Sequence, residues 1–193
     1  TASAPTTDGN QLISPRVPHF SQGDPRWADR LLGRSTTIAR QGCAITCIAM
    51  ALRFYDRIIT PTSLDDHLDQ NDGYVGDSVR WDVPLSYDAG TGPPLKYDRR
   101  TGTSDELLPF VKSRIQSGHP TIIRVDYAVD ANLTYNHFVL GVGLTEDDHI
   151  ILNDPATRRG DGYAEPSNEN ILQRTTRKQG YTLVQLDWYE PTG

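Results

Sequence analysis

The segment "RQGCAITCIAMALRFYD", residues 40–56, constrains the fold more than any other part of the chain. Apolar side chains surround nearly its whole helical circumference, and they are Ala44, Ile45, Ile48, Ala49, Met50, Ala51, Leu52, Phe54 and Tyr55. A helix that is apolar all round belongs in the interior of a protein rather than at its surface. The sequence therefore predicts a buried helix that begins at Gly42-Cys43 and ends near Asp56.

The chain length of 193 residues suits one domain with a proper hydrophobic core and is short for two. The first residues, "TASAPTTDGN", are small and polar, so we expect a flexible leader over residues 1–14 and a single domain over residues 15–193. A hydrophobic fraction of 36% with 13 prolines and 16 glycines is typical of a loop-rich soluble globule. No apolar run reaches the ~20 residues of a membrane-spanning helix, so we expect no membrane span.

The ionic composition excludes some partners and offers little for a metal. A net charge of −6 with scattered Lys and Arg argues against binding of nucleic acid. The two cysteines lie four residues apart on one predicted helix, where their Cβ atoms do not face each other, so neither a disulfide nor a zinc site is favoured. The acidic stretch 65–77 places Gly73 and Tyr74 where a calcium loop wants carboxylates. We expect no metal and no cofactor.

The remaining patterns predict an α+β layout, with helices first and an antiparallel sheet later. A short acidic helix is expected from about Ser63, and a capping box of Thr103 and Glu106 predicts a helix that stops at Gly118. Residues 74–102 are turn-rich and give no clear prediction. Four segments have strand patterns, namely "PTIIRVDY", "HFVLGVGL", "HIILND" and, after a loop over about 156–180, "YTLVQLDWY".

Cys43 is the candidate nucleophile of the chain. The unpaired N–H groups and the macrodipole at a helix N-terminus favour an anion, so a thiol on the first turn ionises more easily. Cys47 lies one turn further in, where a buried cysteine is a small hydrophobic residue. The position of Cys43 directly after Gly42 therefore favours a functional thiol.

His137 is the candidate base, because the predicted hairpin places it beside a carboxylate. We assume that residues 137–143 pair with residues 149–154 across a turn near Thr145-Glu146. The residue numbers of two residues that face each other then add up to about 291. His137 then lies opposite Asp154, with Cβ atoms about 5 Å apart. A carboxylate beside an imidazole fixes its tautomer and supports its charged form.

The other histidines have weaker claims to a catalytic role. His67 lies in an acidic, solvated helix, His119 precedes Pro120 in a turn, and His149 is close to the predicted hairpin turn. His19 stays open as a candidate because it is a neighbour of Gln22.

With Cys43, His137 and Asp154 in this order, the chain resembles the papain superfold, and most closely the bacteriocin-processing (double-glycine leader) peptidase-like family of bacterial cysteine peptidases. The segments "VPHFSQGDPRW", "GCAITCIAMAL" and "NHFVLGVG…HIILNDP" carry the resemblance, over about residues 17–156. It implies a central N-terminal helix that carries the cysteine and packs on a C-terminal antiparallel β-sheet. It also implies that Cys43 is the nucleophile, His137 the base and acid, and Asp154 the orienting group.

The oxyanion-hole side chain departs from the pattern of this superfold. Papain-type enzymes usually place a glutamine about six residues before the cysteine, but Thr37 occupies that position here. By the resemblance Gln22 takes the role. Gln41, two residues before Cys43, is the alternative, and we favour Gln22 because Pro25 and Trp27 could hold its loop against the helix start.

We therefore expect a hydrolase, a cysteine peptidase or amide hydrolase that acts on a peptide or protein substrate through an acyl-enzyme. The same triad would serve a glutamine deamidase, a transglutaminase-like acyl transferase (including toxins delivered into other cells) or a peptidoglycan endopeptidase. A catalytically idle binding module on the same fold is the alternative from a different class. We expect a bacterial protein that is secreted, associated with the cell envelope, or delivered into a target cell.

Overall fold

The computed structural model describes residues 11–12, 17–127, 136–157, 170–175 and 180–193, and the architecture below is that of these ranges. Its helices are α1 (Ile38–Gln41), α2 (Cys43–Phe54), α3 (Pro61–Gln70) and α4 (Ser104–Gln116), with a 3₁₀ turn at Val83–Ser86. Its strands are β1 (Gln11–Leu12), β2 (Leu31–Leu32), β3 (Thr36–Thr37), β4 (Tyr74–Val75), β5 (Ser78–Val79), β6 (Leu95–Thr101), β7 (Thr121–Asp126), β8 (Asn136–Thr145), β9 (Ile150–Asn153) and β10 (Thr182–Pro191). Helices dominate the first half and long strands the second, so the predicted α+β class is confirmed.

The predicted buried helix is present as α2, and every residue from Ile45 to Leu52 is buried. Helix α1 precedes α2 directly, and the chain turns between them at Gly42. A Cβ atom at Gly42 would lie 2.5 Å from the carbonyl oxygen of Ile38 and 2.6 Å from its Cγ2. Only glycine fits this close approach. The turn at Gly42 ends α1, and α2 begins as a separate helix at Cys43.

The central sheet is antiparallel, with the order β1-β8-β7-β10-β6 and with β9 also paired to β8. Alternate residues of its strands enter two separate cores. Ile122 and Leu140 pack with α2 on one face, and Ile123 and Val139 pack with α4 on the other. The helix that carries Cys43 is therefore buried against one face of the sheet.

Most of the predicted elements are present, with shifted ends. The four strand patterns correspond to β7, β8, β9 and β10. Helix α3 begins at Pro61, two residues before the predicted start, because Thr60 caps it in a capping box with Ser63. At the start of α4 the Glu106 carboxylate accepts from the Thr103 N–H at 2.8 Å, as the capping box predicts. Strand β6 lies within residues 74–102, a region without a clear prediction.

The predicted register of the β8–β9 hairpin is wrong by two to three residues. Leu140 pairs with Asn153 and Leu144 with Ile150, so partner numbers sum to 293 and 294 rather than 291. An irregularity between Gly141 and Gly143 shifts the register, since one residue of β8 has no partner there. Asp154 consequently lies one residue beyond the end of β9, on a diagonal from His137.

Only two residues of the predicted leader, residues 1–14, are described by the structure. Gln11 and Leu12 form β1 and pair with Thr145 and Leu144 of β8, while the rest of the predicted leader lies outside the described residues. The predicted loop over 156–180 also lies largely outside them, although Ile171 forms a β-bridge with Ile151. Among the helices described, none has the length and apolar character needed to cross a bilayer.

Candidate active site

Cys43 is the first residue of α2 and meets the start of β8. The residue is partly exposed, and its thiol forms hydrogen bonds with the His137 imidazole and with the backbone N–H groups of Phe138 and Ala44. Burial of the sulfur opposes its ionisation, but the His137 contact and the two N–H groups outweigh burial and place the pKa of Cys43 below its ordinary value. This thiol is therefore held as an anion more easily than a free cysteine.

His137 is the second residue of β8 and is buried, with 9% of its surface exposed. Its Nε2 lies 2.8 Å from Oδ1 of Asp154, which leaves Nδ1 for the thiol of Cys43. Burial alone would lower the pKa of His137, but the bonds to Asp154 and Cys43 and their charges raise it to about 10. The imidazole is thus held in its charged form between a thiolate and a carboxylate.

Asp154 follows β9 and is almost completely buried. Besides His137, its carboxylate accepts from the Ala156 N–H through Oδ1 and from the Tyr181 hydroxyl through Oδ2, each at 2.8 Å. Burial would raise its pKa, but these donors and the charge of His137 lower the pKa of Asp154 to about 2. The carboxylate is ionised and fixed in orientation by partners on both oxygens.

Cys47 lies one turn beyond Cys43 and is fully buried in the α2 core. Burial raises the pKa of its thiol well above the ordinary value, and the nearby charges of Cys43 and Asp154 raise it further. Cys47 is accordingly a neutral core residue.

Gln22 reaches the helix start from the N-terminal segment. Its Nε2 donates to the carbonyl of Ala39 at 2.8 Å, and its backbone N–H donates to the carbonyl of Pro155, also at 2.8 Å. Ala39 is four residues before Cys43, so its oxygen is the position from which a continuous helix would bind the Cys43 N–H. Within the described part of the chain that N–H has no backbone acceptor, and Gln22 holds the Ala39 oxygen instead.

Gln41 does not share this arrangement. It is the last residue of α1 and its side chain is exposed. Thr37, at the position where papain-type enzymes carry their glutamine, is the N-cap residue of α1 and makes no side-chain capping bond to the described residues. The structure therefore brings Gln22, and not Gln41, into contact with the backbone beside Cys43.

Two partners of Asp154 are not predicted from the sequence. Tyr181 directly precedes β10, and no local pattern connects it to Asp154. His19, whose role the sequence leaves open, places its Nε2 at 2.8 Å from the Asp154 carbonyl oxygen and 3.1 Å from the Thr157 hydroxyl.

A neighbouring residue holds the same N-terminal segment, since Asn153 donates to the Val17 carbonyl at 3.0 Å. Local sequence patterns give no signal for these contacts. The family resemblance is the one hint, since the segments "PHFSQ" and "NDP" both contribute to it.

The remaining histidines lie in other surroundings. His67 Nε2 is 2.9 Å from the Ser86 hydroxyl, and His149 pairs with Asp147 at the β8–β9 turn. His119 contacts Tyr55, and burial lowers its pKa. Across the described ranges no three His, Cys, Asp or Glu side chains converge as a metal site would require.

The comparisons with known proteins agree with this geometry. The chain matches the family described as Peptidase_C39-like over residues 15–182. Its fold is similar to that of a Bacillus anthracis protein assigned as a C39-like peptidase, with a TM-score of 0.53, 16% sequence identity, and coverage of 96% of this chain and 100% of that one. No curated protein matches the chain. Because the family match covers most of its length, this chain belongs to the Peptidase_C39-like family, within the papain-like cysteine peptidase superfamily.

Proposed function

We propose that this protein is a cysteine peptidase that hydrolyses a peptide bond through an acyl-enzyme on Cys43. The observation that carries the proposal is the chain of contacts from the Cys43 thiol to the His137 imidazole and on to Asp154, with 2.8 Å between His137 Nε2 and Asp154 Oδ1. A nucleophile, a base and an orienting carboxylate in this order are the parts that nucleophilic acyl transfer requires.

The reaction begins with the thiolate of Cys43 and the imidazolium of His137. The sulfur attacks the carbonyl carbon of the substrate, a C–S bond forms, and the carbonyl oxygen becomes an oxyanion. The intermediate then collapses, the C–N bond breaks, and His137 gives its Nδ1 proton to the leaving amine. The amine product departs and a thioester remains on Cys43.

Water completes the cycle. Neutral His137 takes a proton from a water molecule, and the resulting hydroxide attacks the thioester carbon. Collapse of the second intermediate breaks the C–S bond, releases a carboxylic acid and restores the thiolate–imidazolium pair. Asp154 stays ionised throughout and holds the tautomer and orientation of His137.

The oxyanion requires donors that are in place before the reaction. The backbone N–H of Cys43 is the first candidate, since the turn at Gly42 leaves it without a helical acceptor. Gln22 is the second candidate, because one N–H of its amide binds Ala39 and the other remains available.

Mass spectrometry of a peptide library incubated with the purified protein tests the proposal. We expect cleavage products from the wild type and from Cys47→Ala, and none from Cys43→Ala. Limited iodoacetamide at pH 6.5 should also label Cys43 before Cys47, because its pKa is lowered.

The same experiment separates the alternatives. A mass increase of about one unit on glutamine would indicate a deamidase, and cross-linked peptides would indicate an acyl transferase. Absence of every product, together with Cys43 alkylation no faster than that of a free cysteine, would show an idle binding module and contradict the proposal.

A further inference from the structure

Arg124 lies on the face of the sheet that carries Cys43, and no carboxylate among the described residues forms an ion pair with it. It lies on β7, where its neighbours across the strands are Phe138 of β8 and Gln185 of β10. Its side chain is half-buried, and its Nε atom is enclosed without a hydrogen-bond acceptor. Within the described ranges the one partner of its side chain is the ring of Phe138, with Cζ 5.9 Å from the ring centroid.

A guanidinium stays charged in a protein, and its five N–H donors seek acceptors. The carboxylate of Asp187, on the adjacent strand β10, is already occupied. Its Oδ1 accepts from Tyr97 at 2.6 Å and from Arg99 at 2.7 Å, and its Oδ2 accepts from Gln185 at 2.7 Å. The fold therefore supplies an acceptor for Arg99 and leaves Arg124 available to a ligand.

Arg124 is also close to the reacting thiol. Phe138 connects the two, because its backbone N–H bonds the sulfur of Cys43 while its ring lies against Arg124. Trp81 forms a further wall, with its ring 5.4 Å from that of Phe138. An extended chain advances about 3.3–3.6 Å per residue, so a peptide whose scissile bond lies at Cys43 can reach Arg124 within a few residues.

We propose that Arg124 binds a carboxylate of the substrate, within a few residues of the bond that is cleaved. The proposal rests on the proposed function and names its substrate class as an acidic peptide. A guanidinium binds a carboxylate through two parallel hydrogen bonds, which specify its position as well as its charge. The carboxylate is either an Asp or Glu side chain or the free C-terminus of the peptide. Because the protein carries a net charge of −6, its overall field disfavours such peptides and the local cation must select them.

The test compares kcat/KM for matched peptides that differ at one residue. One set places Glu or Gln at each position from three residues before to three residues after the cleaved bond, and a second set ends in a free carboxylate or an amide. We expect the wild type to prefer the acidic member by about tenfold to a hundredfold at one position, or at the C-terminus. The first set identifies a side-chain carboxylate and the second a terminal one.

Arg124→Gln should remove this preference, and Arg124→Glu should convert it into a preference for Lys at the same position. Arg100→Gln is the matched control, because Arg100 lies over Phe110 on the other face of the sheet, with Cζ 4.6 Å from the ring centroid. A wild type that cleaves peptides with no preference for an acid, or a preference that survives in Arg124→Gln, would overturn the proposal while the peptidase function stands.

Two further measurements keep this test separate from catalysis and from folding. Binding of the same peptides to Cys43→Ala, followed by fluorescence anisotropy, should show the acidic preference even if no peptide is hydrolysed, and equal binding would overturn the proposal. The melting temperature of Arg124→Gln should equal or exceed that of the wild type, since an unpaired cation is removed. A marked fall would indicate that Arg124 only supports Phe138.

Discussion

Cys43 and Cys47 are the same residue one turn apart on one helix, and their thiols are opposite in character. The pKa of Cys43 is lowered and that of Cys47 is raised well above its ordinary value, although burial opposes ionisation of both sulfurs. The difference comes from what meets each sulfur. Cys43 has an imidazolium and two N–H groups, whereas Cys47 has apolar neighbours and the negative charges of Cys43 and Asp154.

The helix itself contributes little to the difference in pKa between the two thiols. A helix macrodipole contributes about 0.3–1 kcal/mol near an exposed terminus, which is less than one unit of pKa. The N–H of Ala44 is the contribution of the helix start, but His137 and the N–H of Phe138 come from β8, almost a hundred residues later in the chain. Folding of the sheet against α2 therefore lowers the pKa of one thiol and leaves that of the other raised.

Removal of His137 should break this difference and have the largest effect. We expect His137→Ala to lower kcat by about 10³–10⁴-fold and to move the pKa of Cys43 upward, toward that of Cys47. Peptide cleavage measures the first effect, and the pH dependence of alkylation at each cysteine measures the second. His149→Gln is the control, since His149 is on the same hairpin but pairs with Asp147 at the turn. A thiol that keeps its lowered pKa without His137 would show that the helix start is sufficient.

Asp154→Asn should change the pH range over which Cys43 and His137 form a thiolate–imidazolium pair. The wild-type rate should rise as Cys43 ionises, below its ordinary pKa, and fall near pH 10 as His137 loses its proton. Asparagine keeps a polar partner but no charge, so the pKa of His137 should fall and the basic limb should move to lower pH. The kcat should decrease on the order of 10³-fold. An unmoved basic limb in rate–pH profiles would contradict the role of Asp154.

Gln22→Ala should separate stabilisation of the oxyanion from ionisation of the thiol. Loss of one oxyanion donor typically costs about 10²–10³-fold in kcat, and we expect little change in KM. The pKa of Cys43 should stay lowered, because Gln22 is not among the groups that bond its sulfur. Gln41→Ala, at an exposed position, is the control. If Gln41→Ala were the slow variant instead, the donor assignment would be reversed while Cys43, His137 and Asp154 would keep their roles.

Local patterns in the sequence predict much of this fold. The apolar circumference of α2, the capping box of Thr103 and Glu106, and the β-branched strands each depend on residues close in the chain. Strand β6 is missing from the prediction because "LKYDRRT" is an edge strand of mostly polar residues, and only its pairing with β10 makes it a strand.

The contact between His137 and Asp154 could be predicted from the hairpin, but its register could not. The irregularity between Gly141 and Gly143 leaves no signature beyond the glycines themselves, and the two side chains meet on a diagonal. Contacts between segments that are distant in the sequence are harder still to predict from local patterns. Tyr181 on Asp154, Gln22 on Ala39 and Arg124 on Phe138 exist only once the sheet and the N-terminal segment are in place.

The smallest expected effect on rate, that of Cys47→Ala, sharpens the comparison most. Cys47 is fully buried in the α2 core, so loss of its sulfur should lower the free energy of unfolding by about 1–2 kcal/mol. The cleavage rate should stay within about twofold of the wild type, because the effect is confined to packing. Urea unfolding and peptide cleavage, measured on the same preparations, give the two values. Cys43→Ala should behave in the opposite way and cleave no peptide. Its free energy of unfolding should change little, since Cys43 is partly exposed. A Cys47→Ala variant that unfolds like the wild type but cleaves slowly would show that the two thiols act together, and the division of the helix into a reactive and a structural cysteine would be wrong.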